Sequence, residues 1–110
     1  MVMLVNITRW TPETARALQE RWMTVVNGTA PNPVLDAFAK IKFIAQVISL
    51  PNRFAVMISE IDEKDLADMV PLELYMQEVC TAEEYKVMTM EDYLKASEVL
   101  PMEKIPKPKS

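Results

Sequence analysis

The chain has 110 residues and a mass of 12.6 kDa, half of it apolar and a quarter charged, the size and composition of one globular domain. It holds no histidine and one cysteine, Cys80, which excludes an internal disulfide and removes the commonest metal ligand and the commonest general base at neutral pH. The formal charge of -4, with eleven carboxylates between residues 60 and 92 and all four arginines (Arg9, Arg16, Arg21, Arg53) in the first half, lacks the dense basic stripe that nucleic acid requires.

The elements follow in order. Val2 to Trp10 alternates, with Met3, Val5 and Ile7 on one face and Leu4, Asn6, Thr8 and Trp10 on the other, which predicts a strand with two unlike faces. Thr11-Pro12-Glu13 supplies an N-cap, a first-turn proline and an early carboxylate for a helix. Ala15, Leu18, Trp22 and Val25 or Val26 form its inner stripe, Arg16 and Glu20 pair outside, and Asn27-Gly28 ends it. Thr29 to Pro33 reads as a proline-broken connector, and Val34 to Ala39 as either a short helical turn or an extended approach. Ile41 to Leu50 and Phe54 to Ile61 read as a hairpin around the turn Pro51-Asn52-Arg53, apolar on both faces. Asp62 to Asp65 opens a second helix, in which Pro71 either kinks the chain or begins a new segment reaching about Val79. Glu84 to Thr89 is the last strand, Thr89 caps a final helix through Tyr93, Leu94 and Val99, and Pro101 ends it. The domain is expected to span residues 1–100, and the lysine- and proline-rich segment 101–110 is expected to be a disordered basic tail.

No stretch nears the roughly eighteen apolar residues of a membrane span, and no secretory signal opens the sequence; no membrane partner is expected, and the cytoplasm is the expected location. The order strand, helix, strand, strand, helix, strand, helix describes an α+β fold: a ferredoxin-like βαββαβ domain with a four-stranded antiparallel sheet and an extra C-terminal helix. Helices cover one side of such a sheet. Strands apolar on both sides leave the other as a patch best buried by a second copy, so a homodimer through the open sheet face is expected.

The segments Met3 to Glu13, Ile44 to Glu60 and Tyr85 to Tyr93 resemble the dimeric α+β barrel superfamily, within it a group of small prokaryotic proteins of uncharacterised function. The resemblance runs over about residues 3 to 95 and rests on strand and helix patterns rather than on fixed catalytic residues. It implies two sheets facing each other around a shared interior, in a superfamily that includes cofactor-independent monooxygenases, lactone isomerases, haem enzymes and small-ligand regulatory modules. The missing histidine speaks against haem, and no metal or organic cofactor is expected.

Polar residues aimed into such a barrel are the candidate ligand-binding set: Asn6, Thr8 and Trp10 on the first strand, Glu60 at the end of the Phe54, Val56, Ile58 face, and Tyr85 on the last strand. If desolvation raises its pKa, Glu60 is the candidate base. Cys80 has no histidine to activate it and reads as a structural thiol. Glu83-Glu84 and Glu91-Asp92 are poor cation sites, because neighbouring strand carboxylates diverge and those at a helix start already cap. The expected function is that of a small-molecule-binding or structural homodimer. The alternative is a cofactor-independent enzyme of monooxygenase or isomerase type acting on a small aromatic or enolic substrate in the barrel.

Overall fold

The structure is a computed structural model, and it describes residues 1–98. It is an α+β fold with one four-stranded antiparallel sheet: β1 (Val2–Arg9), α1 (Ala15–Val26), α2 (Asn32–Ala39), β2 (Lys42–Ser49), β3 (Phe54–Ile61), a 3₁₀ segment (Glu63–Met69), α3 (Val70–Gln77), β4 (Thr81–Val87) and α4 (Met90–Glu98). The strand order is β2-β3-β1-β4. Every neighbouring pair is antiparallel, so β1 and β2 run parallel with β3 between them, and β3 and β4 run parallel with β1 between them. The tail expected at 101–110 lies outside the described residues, as does Val99.

Three boundaries depart from the sequence reading. Residues 11 to 14 form a turn before α1, because Thr14 Oγ1 accepts the Thr11 N–H at 3.1 Å and the Thr14 N–H bonds the Thr11 carbonyl; the cap signal at Thr11-Pro12 therefore acts one turn ahead of the helix. Val34 to Ala39, which the sequence left between helical turn and extended chain, is helical, and the helix begins at Asn32, inside the expected connector, with Pro33 in its first turn, where a missing N–H costs nothing. The last strand begins at Thr81 rather than Glu84, since the backbone of β4 pairs with β1 from Thr81↔Arg9 to Val87↔Met3 despite its two glutamates. The helix expected from Asp62 opens as a 3₁₀ segment, Glu63–Met69. Three other local expectations hold. Pro71 starts a new segment, Gly28 ends the α1 region at φ 76°, and Thr89 Oγ1 accepts the Asp92 N–H at 3.0 Å to cap α4.

The register assigns the faces, since residues directly opposite one another share a side. Val2, Leu4, Asn6 and Thr8 lie with Ile61, Ser59, Met57 and Ala55; Met3, Val5, Ile7 and Arg9 lie with Glu60, Ile58, Val56 and Phe54. The first side faces the helices: Val2 and Ile61 are buried with Ala37 and Met69, and Leu4, Ile41 and Leu72 pack around them. A second cluster joins the helices, with Val25, Ala30 and Val34 buried against Trp22, Phe38, Leu72 and Tyr75. Trp22 meets Phe38 edge-on at 5.7 Å, and Phe38 reaches Phe43 of β2 at 5.6 Å, which ties the helix layer to the sheet edge. Arg21 clamps α1 to α3, with its guanidinium 4.7 Å from the Tyr75 ring and donating to the Tyr75 carbonyl and to Glu78. Every buried strand residue (Val2, Thr8, Ser59, Ile61) belongs to the helix-facing side; on the opposite side none is buried.

Candidate functional site

The open side of the sheet carries an apolar centre and two polar ends. Met3, Val5 and Ile7 of β1 lie beside Ile58, Val56 and Phe54 of β3, all half-buried by their neighbours alone. At one end Glu60 stands opposite Lys42, with Nζ 3.9 Å from its carboxylate and the Glu60 side chain 27% exposed. Toward the other end Glu83 holds two partners at once. Arg9 Nη1 donates to its Oε1 at 2.5 Å, and the Tyr85 hydroxyl donates to its Oε2 at 2.6 Å. The three belong together by register, since Glu83 faces Ile7, Tyr85 faces Val5 and Thr81 faces Arg9. The Tyr85 hydrogen bond and the Arg9 charge hold the Glu83 carboxyl below its ordinary range, while donation to that carboxylate pushes the Tyr85 phenol up.

The five candidate residues do not share one surface. Glu60 and Tyr85 lie on the open side, two strands and two residues apart, roughly 12 Å between their Cα atoms from strand spacing and rise. Asn6 and Thr8 lie on the helix-facing side, where Thr8 is buried and its hydroxyl donates to Asn6 Oδ1 at 2.6 Å. Trp10 has left the strand; its N–H bonds the Arg53 carbonyl at 3.2 Å, and with Arg9, Thr14, Glu78 and Cys80 it lines a shallow groove of about 270 Å³ at the end of β1 and β4. In that groove Cys80 donates to the Met76 carbonyl at 3.2 Å, and partial burial pushes its thiol pKa up, away from the nucleophilic thiolate. A second groove of about 300 Å³, between α2 and the 3₁₀ segment, is crossed by the Lys40–Asp68 ion pair at 2.8 Å.

Two polar pairings escaped the sequence reading. Arg9 continues the Met3, Val5, Ile7 parity and Glu83 shares the parity of Tyr85, so alternation carried the signal for that trio; only the pairing of β4 with β1 brings them into contact. The second is Glu84, which sits opposite Asn6 on the helix-facing side near Glu73 of α3. Partial desolvation, then the charge and hydrogen bonding of Glu73, raise the Glu84 carboxyl above its usual range. Among the described residues no three metal-ligating side chains converge, and no helix is long and apolar enough to cross a membrane. No family model, no curated protein and no solved structure matches the chain.

Proposed function

We propose that the chain is a ferredoxin-like protein that works as a homodimer, its two open sheet sides facing each other and holding a small molecule between them. The order β2-β3-β1-β4, with each parallel pair split by an antiparallel strand, supports the ferredoxin-like assignment. The observation that carries the dimer is the one-sided burial: helices cover one face, and the face built on Val5, Ile7, Val56 and Ile58 has no cover from the described residues. Four strands of eight, eight, eight and seven residues span roughly 500 Å² per face. Two such faces together reach the ~1,000 Å² at which a specific interface becomes stable. The ion pair Lys42–Glu60 and the Arg9–Glu83–Tyr85 group frame the apolar centre, so a ligand held there is a small, mainly apolar molecule with one hydrogen-bonding or anionic end.

Light scattering on the purified chain tests the assembly, with about twice 12.6 kDa expected at micromolar concentration. Val5→Asp or Ile58→Asp, each placing a charge at the centre of the open side, is expected to give a folded monomer. A wild-type monomer overturns the reading. Native mass spectrometry of protein purified without affinity ligands tests binding: a retained small molecule that Val5→Asp releases supports the shared site. An enzyme of the monooxygenase or isomerase type is the second reading. It draws on one feature, that Glu60 and Tyr85 both belong to the open side while Glu83 is hydrogen-bonded by Arg9 and Tyr85 and Glu60 has only the longer Lys42 contact at 3.9 Å, which leaves Glu60 as the base and makes Glu60→Gln the variant that abolishes turnover while preserving fold and dimer.

A further inference from the structure

The two edges of the sheet are chemically unlike. β4 carries Glu83, Glu84 and Lys86 within seven residues, the kind of charge that keeps an edge strand from recruiting another strand. In β2 the only charge is Lys42 at its first residue, and Phe43 to Ser49 contains neither charge nor proline. Its apolar side chains beyond Phe43 are also exposed, with Val47 and Ile48 each at 62%. A bulge between Phe43 and Ala45 bends the start of the strand and leaves Ala45 to Ser49 as a regular run, paired with β3 on one side and with no strand among the described residues on the other.

We infer that Ala45 to Ser49 of β2 pairs antiparallel with the same residues of a second copy, across a two-fold axis at Val47. This deepens the homodimer reading and rests on it for the identity of the partner. About such an axis Val47 meets itself, Gln46 meets Ile48 and Ala45 meets Ser49, so no like charges oppose and Lys42 falls beyond the paired run. The same operation on β4, centred on Glu84, sets Glu84 against itself with Glu83 beside it, a repulsive arrangement. The chain's own segment 99–110 is a poor strand for this edge, since Pro101, Pro106 and Pro108 each lack a ladder donor. A sheet continued through β2 keeps both open sides on one face, and the bulge between Phe43 and Ala45 is the kind of feature that curves a sheet so that such sides turn toward each other.

Cysteine scanning of the full chain tests the seam. Single cysteines at positions 45 to 49 are placed in a Cys80→Ser background; if that chain fails to fold, they are placed in the wild-type chain and the linked peptides are identified by mass spectrometry. Only a residue near the axis meets its own copy at the Cα separation a disulfide needs, roughly 4.4–6.8 Å. A single maximum of covalent dimer within the run, expected at Val47→Cys and several-fold above Glu84→Cys, supports the seam. A flat profile, or a stronger cross-link from Glu84→Cys, overturns it. Light scattering separates the two readings: a dimer with a flat profile overturns the seam alone, a Val47→Cys cross-link unaffected by Val5→Asp overturns the facing sheets alone, and a monomer overturns both.

Discussion

Glu83 is the most engaged carboxylate on the open side, and its two partners make different promises. Because the Tyr85 hydroxyl donates to it, the phenol loses its proton at higher pH than a free tyrosine. Glu83→Gln removes the charge that holds that proton, so the Tyr85 component of an ultraviolet titration, identified by difference from Tyr85→Phe, is expected to fall back toward its ordinary midpoint. An unchanged midpoint would mean that the contact does not persist in solution. Glu84 shows the opposite situation for a carboxyl. A group whose folded-state pKa is raised binds its proton more tightly than the unfolded chain does, so it favours the fold at acid pH and loses that contribution as pH rises through the raised value. Glu84→Gln is therefore expected to raise the urea midpoint at pH 7, and the gain to vanish near pH 3, well below the unfolded glutamate pKa of about 4.3, where both chains are neutral at this position. The site was only half legible for a related reason. Alternation in β1 separated Met3, Val5, Ile7 from Asn6 and Thr8, but parity does not say which side the helices cover. They cover the more polar side, which tolerates burial because Thr8 and Asn6 satisfy each other, and the more apolar side is left open.

At the scale of elements, two of the described residues have a positive φ, Gly28 after α1 and Arg53 in the β2–β3 turn. A Cβ at Gly28 meets nothing within 4 Å, so Gly28→Ala acts through backbone strain, partly offset by the reduced freedom of the unfolded chain; we expect a net loss of up to about 1 kcal/mol in chemical denaturation. Arg53 is an ordinary residue in the same conformation at φ 52°. Arg53→Gly relieves that strain while adding freedom to the unfolded chain, and the two effects leave a net change within about 0.5 kcal/mol of zero. Gly28 was readable as a helix end because the chain has one glycine and it follows a helical stripe. Arg53 was readable only as part of a turn, since its left-handed backbone depends on closing the hairpin that its carbonyl then ties to Trp10. α1 was legible from its inner stripe, α2 was left open because its span is short and proline-led, and the start of β4 was misplaced by three residues because an edge strand is fixed by its neighbour's backbone more than by its own side chains.

At the scale of the molecule, the buried core is small and lopsided. Among the described residues only Val25 and Ile61 are large side chains with less than 2% of their surface exposed, and both lie on the helix side of the sheet. Ile61→Ala is expected to cost about 2–5 kcal/mol, a large part of what a domain of this size can spare. A chain with so one-sided a core gains much of its burial only when the open side is covered, and if a second copy supplies that cover, folding and association are one equilibrium. Apparent stability then depends on protein concentration by mass action. Each tenfold dilution lowers the free energy of unfolding the dimer to two chains by about 1.4 kcal/mol at 25 °C. The urea midpoint followed by circular dichroism is expected to fall steadily between micromolar concentrations in the hundreds and in the single digits, and Val5→Asp is expected to abolish the dependence while lowering the midpoint. A wild-type midpoint that does not move with concentration would mean that the helix-side core alone stabilises the fold, and that the open side is an exposed surface rather than half of an interior.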